Sequence, residues 1–192
     1  MTELKFEAYG PEGDPEAHVP MAELEAGLAA LPEAPKDRGS LALISRRHPD
    51  GARETPEGVC LTPENGVPGD GWNRRPPHDP EAQLAVMRMD LAELIAGGQP
   101  VTHSGDNLYV HLDLTAENLP TGTRLRVGEA LVEVTPNPHD GCLKFKGRFG
   151  QDALLFVQAP ATRPENRRGI YWKVIEAGDA RVGDAVEVIS RP

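Results

Sequence analysis

The sequence predicts a mainly β protein, a small barrel or sandwich with a few short helices. Glycine (20 residues) and proline (19 residues) together make up about a fifth of the 192-residue chain. This excludes helical bundles and coiled coils, because both residues disfavour the interior of a helix. Hydrophobic residues, 39% of the chain, occur in short blocks separated by turn residues, which is typical of short strands and not of disorder.

The N-terminal third is expected to form one helix and a few strands. Leucines at helical spacing predict a short amphipathic helix over Met21–Leu31, which Pro32 ends. Leu41–Arg47 has the composition of a strand. The next residues form a turn, and Arg53–Thr62 is expected to return as a hairpin partner. Residues 63–80 are dense in turn residues and predict a long irregular loop, which in a compact domain is often functional.

The remaining chain is expected to alternate strands with short helical segments. The predicted strands are Gln83–Met89, Asn107–Leu114, Leu125–Val127, Ala130–Thr135, Gly169–Glu176 and Ala185–Ser190. Leu91–Ala96 predicts a short helix, Gly141–Gly150 favours a helical turn, and Asp152–Gln158 is either an apolar helix or a strand. A turn at Val182–Asp184 is expected to join the last two strands.

The charge and the termini indicate where the protein works. Twenty basic against thirty acidic residues give a formal charge of −10, so neither nucleic acid nor a membrane surface is an expected partner. The sequence shows no secretory signal and no apolar run near the ~20 residues needed to span a bilayer. Cys60 and Cys142 are expected to be free thiols in a cytoplasmic protein.

One segment, Cys142–Lys173, departs from the acidic character of the chain; we call it the basic island. It carries seven basic residues against two acidic ones, a local net charge of +5. Cations stabilise the thiolate form of a nearby cysteine, and a thiolate is both a nucleophile and a soft-metal ligand. The same cations can hold a phosphate. A solvated surface and a buried structural cysteine are the alternatives, and His139 is either a proton carrier or a turn cap.

Several short motifs occur in the order found in MOSC domains, the module named after the C-terminal domain of molybdenum cofactor sulfurases. They are Gly69-Asp70, Gly105-Asp106-Asn107, Leu119–Thr123, Val127-Gly128, Cys142, Arg168–Tyr171 and Val182–Asp184. From about Gly66 to Ile189 the chain resembles this family. The resemblance implies a closed β-barrel-like domain over residues 66–192, with residues 1–65 forming strands and a helix packed on it.

The resemblance also implies a role for the cysteine. Under the first hypothesis, Cys142 ligates the metal of a molybdenum cofactor (molybdopterin), and an oxygen atom is removed from an N-oxygenated substrate with electrons from a donor protein. Asn107 would hydrogen-bond the pterin and His139 would assist catalysis. The side chains expected to hold the pterin phosphate are Lys144, Arg148, Arg167 and Arg168.

Two departures from the family pattern bear on this site. Gly105-Asp106 stands where many members have two arginines, so one anion contact is missing or reversed in charge. Arg74 and Arg75 would supply it if the long loop folds over the site. Gly141 stands where a proline is common.

Two other functions fit the same residues. In the second hypothesis, a cysteine desulfurase, which itself carries the pyridoxal phosphate, transfers sulfur to Cys142 as a persulfide for metal-centre maturation. In the third, the basic island is a non-catalytic module that recognises an anion or the acidic surface of a partner. The first two make the chain an enzyme, a reductase or a sulfurtransferase.

Overall fold

The computed structural model describes residues 10–74 and 78–192. These residues form a closed seven-stranded β-barrel with helices packed around it. The strands of the described chain are β1 (Arg38–Ile44), β2 (Arg46–Arg47), β3 (Arg53–Glu54), β4 (Gly58–Leu61), β5 (Leu84–Arg88), β6 (Leu108–His111), β7 (Arg124–Val127), β8 (Ala130–Val134), β9 (Ile170–Glu176), β10 (Gly178–Arg181) and β11 (Ala185–Ser190). The α-helices are α1 (Met21–Ala30), α2 (Met89–Ala96) and α3 (Leu143–Gln158). Short 3-10 helices cover Pro15–Ala17, Gly71–Arg74, Pro80–Ala82, Val101–Ser104 and Pro160–Glu165.

The barrel closes in the order β1-β11-β7-β8-β9-β5-β6. All its pairings are antiparallel except that of β5 with β6, which is parallel and is connected through α2. A parallel pair needs such a crossover because its two strands run in the same direction. Two small sheets lie outside the barrel, one of β2 with β3 and one of β4 with β10. The predicted mainly β fold and the closed barrel that the family resemblance implies are confirmed.

Two apolar cores hold the structure together. The first fills the barrel, and the second packs α1, α2 and α3 against its outer wall. Strand β5 serves both cores: Leu84 and Val86 face the barrel interior, while Met87 packs among the helices. Alternation of side chains along a strand explains this division. It also explains why this strand is apolar on both faces.

Helix α3 carries the first part of the basic island. It kinks at Gly150, whose φ of +92° is outside the helical range. A Cβ at this position would lie 2.9 Å from the ring of His18, so glycine allows the N-terminal segment to pass close by. The helical turn predicted for Gly141–Gly150 is confirmed, and the ambiguous Asp152–Gln158 segment is helical.

Three expectations need correction. β1 pairs with β11 and β6 inside the barrel, so residues 1–65 are not only packed on the barrel but contribute one of its strands. The single return strand expected at Arg53–Thr62 is two strands, β3 and β4, which pair with different partners. β10 separates β9 from β11, so the Val182–Asp184 turn follows β10. Long-range pairing, which the local pattern does not encode, decides all three.

Candidate functional site

A cavity of about 400 Å³ lies where the β2–β3 hairpin, the long loop, the start of α3 and β9 meet. The loop contributes Trp72, whose ring lies 4.9 Å from that of His78. Among the described residues, five Lys or Arg side chains line the cavity against two Asp side chains. They are Arg47, Arg53, Lys144, Arg148 and Arg168. The cavity is therefore suited to an anionic ligand.

Cys142 stands at the edge of this cavity, immediately before the first residue of α3. Its side chain is exposed, and its carbonyl oxygen accepts a hydrogen bond from the N–H of Lys146 at 3.0 Å. Phe145 and Phe149 bury one face of the helix in the second core and so fix its start. The peptide N–H groups at the start of a helix favour negative charge, which adds to the field of the neighbouring cations. The geometry presents an accessible sulfur in a positive environment.

His139 forms part of the cavity wall but is almost fully buried. Its ring stacks on Tyr171 with 4.3 Å between ring centres, and its Nδ1 lies 3.7 Å from Oδ1 of Asp106. Burial and the charge of Arg168 lower the pKa of His139 to about 3. The imidazole is therefore neutral at pH 7 and is a weak proton acceptor, which does not favour the proton-carrier role expected of His139.

Asp106 anchors a buried polar network that we call the pocket floor, together with Arg168, Ser104, Tyr109 and His139. Nη1 of Arg168 donates to both carboxylate oxygens of Asp106, at 2.9 and 2.8 Å. The Ser104 hydroxyl donates to the same carboxylate at 2.5 Å and lies 2.7 Å from the Tyr109 hydroxyl. Burial is the largest single influence and opposes ionisation of Asp106, but the surrounding charges and hydrogen bonds, above all the charge of Arg168, together lower the pKa of Asp106. Asp106 stands where many family members have an arginine, but Arg168 neutralises its negative charge beneath the cavity.

Asn107 offers a hydrogen bond at the cavity wall. Its side-chain oxygen accepts the N–H of Ala85 at 3.1 Å, which fixes the amide plane. Its Nδ2 is buried and has no hydrogen-bond partner in the described part of the chain. Buried donors are rarely left unpaired, so this amide is available to a ligand.

The cavity brings together six of the predicted site residues. They are Cys142, His139, Asn107, Lys144, Arg148 and Arg168. Arg167 does not join them: it packs over the Phe156 ring and pairs with Glu25 and Glu165. Arg74 lies beside the cavity, where it donates to the carbonyl oxygens of Gly69 and Arg47, and Arg75 lies outside the described residues.

Three cavity residues went unrecognised in the sequence. Arg47, His48 and Arg53 flank the turn between β2 and β3, and the hairpin carries them to the cavity wall. The only signal in the sequence is the density of basic residues around that turn. The hairpin is far from the basic island along the chain, so the sequence does not indicate that the two regions line the same cavity.

Within residues 10–74 and 78–192, no three His, Cys, Asp or Glu side chains come together as a metal site. Cys142 is the thiol of the cavity, while Cys60 lies on β4, outside it. No helix among the described residues is both long and apolar enough to cross a bilayer.

Comparison with solved structures supports the fold. The YuaD protein from Bacillus subtilis superposes with a TM-score of 0.60 at 17% identity, over 81% of this chain and 97% of that chain. YiiM from Escherichia coli gives a TM-score of 0.54 at 21% identity, over 81% and 71% of the two chains. YiiM from Geobacillus stearothermophilus gives 0.52 at 16% identity, over 80% and 76%.

The sequence comparisons identify the family. No curated protein matches the chain. The MOSC domain matches residues 73–187, a span that begins in the long loop and ends in β11. This span is more than half of the chain and includes Asn107, Cys142 and Arg168. The chain therefore belongs to the MOSC domain family.

Proposed function

We propose that this protein binds a molybdenum cofactor in the cavity, with Cys142 as the protein ligand to the metal, and removes oxygen from N-oxygenated substrates. The observation that carries the proposal is the exposed thiol at the edge of a cavity lined by cations. A soft thiolate suits molybdenum, and the cations suit the phosphate of the pterin.

The buried polar atoms around the cavity fit such a cofactor. Nδ2 of Asn107, Nε of Arg168 and Nδ1 of His139 are all buried, and none has a hydrogen-bond partner within the described ranges. A pterin ring system carries several hydrogen-bonding atoms at its edge, which would satisfy these groups. Asn107 would hydrogen-bond the pterin, and Lys144 and Arg148 would neutralise its phosphate.

Removal of oxygen from an N–O bond consumes two electrons and two protons and releases water. When bound, the cofactor supplies the oxygen-atom transfer chemistry, and the electrons would come from a donor protein. The chain itself holds protons at the cavity wall. Nε2 of His48 lies 2.6 Å from Oε2 of Glu54, which orients the ring. The Tyr171 hydroxyl is a hydrogen-bond donor at neutral pH, and burial raises its pKa further.

Metal loading of matched cysteine variants tests this function. The protein is produced in a host with an intact pterin pathway, and molybdenum is measured by mass spectrometry in wild type, Cys142→Ala and Cys60→Ala. We expect close to one molybdenum per chain in wild type and Cys60→Ala, and a loss of at least tenfold in Cys142→Ala. Absence of molybdenum from wild type, or equal loading of Cys142→Ala, would contradict the proposal.

The exposure of Cys142 also supports a second candidate, the sulfur carrier. In that reaction the Cys142 thiolate attacks the persulfide of a cysteine desulfurase, so that the sulfane sulfur moves to Cys142 and the desulfurase cysteine leaves as a thiolate. Incubation with a desulfurase and labelled cysteine should label wild type and not Cys142→Ser. A protein that takes up neither molybdenum nor sulfur would be the anion-binding or partner-binding module.

A further inference from the structure

His48 lies on the cavity wall and contacts a carboxylate from the opposite strand of the β2–β3 hairpin. Its Nε2 is 2.6 Å from Oε2 of Glu54. Arg46 holds that carboxylate in turn, because its Nε and Nη2 donate to the two oxygens at 2.6 and 2.8 Å. The strand register places Arg46 directly opposite Glu54, and we call the three side chains the hairpin triad. All three precede residue 73, where the match to the MOSC domain begins.

The hairpin turn fixes the position of His48. Its N–H donates to the Ala52 carbonyl at 3.0 Å, and its own carbonyl accepts the N–H of Gly51 at 3.0 Å. Nη1 of Arg46 donates to the Pro68 carbonyl at 3.2 Å, which ties the hairpin to the long loop. The imidazole is therefore carried by a turn whose position is set before any ligand binds.

The carboxylate decides which ring nitrogen carries the proton. Hydrogen bonds from Arg46 and His48 lower the pKa of Glu54 to about 2, so the ionised group can only accept hydrogen bonds at neutral pH. Nε2 of His48 must therefore be the donor in their contact. Nδ1 has no hydrogen-bond partner within residues 10–74 and 78–192, so it is the nitrogen left for a ligand. A fixed tautomer of this kind prepares a histidine for proton transfer.

His48 and His139 differ in their access to protons. The side chain of His48 is 38% exposed, so water can return a proton to its ring. The side chain of His139 is 5% exposed, and burial lowers its pKa to about 3. A group with so low a pKa holds almost no proton to donate at neutral pH. Of these two histidines, His48 is therefore the one placed to give a proton and to regain it.

We propose that His48 donates a proton to the oxygen that leaves an N-oxygenated substrate, with Glu54 and Arg46 as its positioning residues. This role rests on the proposed function and gives it a proton source. Reduction of an N–O bond takes two electrons, here from the donor protein, and two protons, and it releases one water. One proton passes from Nδ1 of protonated His48 to the departing oxygen, and the other comes from water. The ring keeps its Nε2 proton on Glu54, and solvent reprotonates Nδ1.

The tautomer of His48 can be measured on the cofactor-free protein. Nitrogen-15 NMR at about pH 8, where an ordinary histidine is neutral, distinguishes the two tautomers, and the spectrum of His48→Gln assigns the signals. We expect the proton on Nε2 in wild type and a mixture of tautomers in Glu54→Gln, because an amide can both donate and accept. His111→Gln, at an exposed position on β6, should leave the signals of His48 unchanged. A proton on Nδ1 in wild type would overturn the role of the triad, whatever the protein loads.

Turnover by the molybdenum-loaded protein tests the donor role. The substrates are acetohydroxamic acid, hydroxylamine and trimethylamine N-oxide, and methyl viologen reduced with dithionite supplies the electrons. We expect kcat to fall by about 100-fold or more in His48→Gln, because general acid catalysis typically contributes about 10²–10⁴-fold. The molybdenum content should stay at the wild-type level, and His111→Gln should keep the wild-type kcat. Imidazole added to His48→Gly should restore part of the rate, which it would not do if the side chain were merely structural.

The outcomes distinguish this role from the proposed function. If loaded wild type turns over a substrate and His48→Gln has the same kcat, the donor role is wrong and the proposed function stands. A fall in kcat that comes with a loss of molybdenum, and that imidazole does not reverse, would also overturn the donor role and assign His48 to the structure of the wall. Wild type that loads no molybdenum, or that is loaded and reduces none of the three substrates, would contradict the proposed function, and the donor role would fall with it.

Discussion

The floor and the mouth of the cavity hold their charges in opposite ways. On the pocket floor, Asp106 and Arg168 are almost fully buried and neutralise each other. At the mouth, the ion pair between Asp140 and Arg163 is about half exposed, and the thiol of Cys142 stands next to it in solvent. The difference indicates that the floor contributes mainly to the stability of the fold, whereas the mouth is accessible to ligands and reagents.

The largest expected effect is a loss of stability when one member of the buried Asp106–Arg168 pair is replaced. Asp106→Ala leaves Arg168 buried without a countercharge, so we expect a loss of about 3–5 kcal/mol in the free energy of unfolding. Urea denaturation at pH 7 measures it. Asp140→Asn, which breaks the corresponding pair at the mouth, should cost no more than about 1 kcal/mol because both partners are solvated. Equal losses in the two variants would break the distinction between floor and mouth.

The floor should also make the protein sensitive to mild acid. His139 has a folded-state pKa of about 3, well below the ordinary value near 6.5, so the unfolded chain binds a proton that the folded chain does not. Stability is therefore lost as the pH falls below about 6.5, by about 2 kcal/mol at pH 5. Asp70, with a pKa of about 2, adds its own loss only below its unfolded value near 3.9.

Urea denaturation at pH 7 and pH 5 measures this effect in wild type and His139→Gln. The glutamine variant removes the titrating group and should lose most of the change between the two pH values. His111→Gln, at an exposed position on β6, serves as the control and should keep the wild-type change. If His139→Gln is as acid-sensitive as wild type, the buried imidazole is not the cause.

The barrel was predictable because its strands follow from local pattern. Apolar blocks such as Leu84–Arg88 and Ile170–Glu176 are separated by glycine and proline turns, so their existence could be inferred without knowing their partners. Their pairing could not, and β1 was therefore not recognised as a barrel strand. The closed topology came from the family resemblance and not from the pattern.

The site was predictable where chemistry and charge occur together in the sequence, as they do at Cys142. Adjacent arginines could not be told apart: Arg168 reaches Asp106 under the cavity, whereas Arg167 reaches Glu25 on α1. Which carboxylate each one meets depends on how distant elements pack, and a charge pattern carries no information on that. Arg53 was missed for the same reason, because only the hairpin brings it to the cavity.

The smallest effect expected from the comparison is a difference in thiol reactivity between Cys142, at the cavity mouth, and Cys60, outside the cavity. Both thiols are exposed, so access alone does not separate them. Desolvation and a hydrogen bond with Asp179 raise the pKa of Cys60, which reduces its thiolate fraction at neutral pH. Cys142 instead stands at the start of α3, beside cations that attract an anionic sulfur. We therefore expect iodoacetamide at pH 7 to modify Cys142 roughly tenfold faster than Cys60, as followed by mass spectrometry.

The dependence of the two alkylation rates on salt concentration tests this last prediction further. Because the field at the mouth comes from exposed cations, raising the ionic strength should narrow the ratio of the two rates mainly by slowing Cys142. The single variants Cys60→Ser and Cys142→Ser assign each rate to its thiol. Equal rates for the two cysteines at low salt would show that the cations at the mouth do not act on the sulfur. In that case the charge around the cavity would serve ligand binding alone, and Cys142 would react as an ordinary surface thiol.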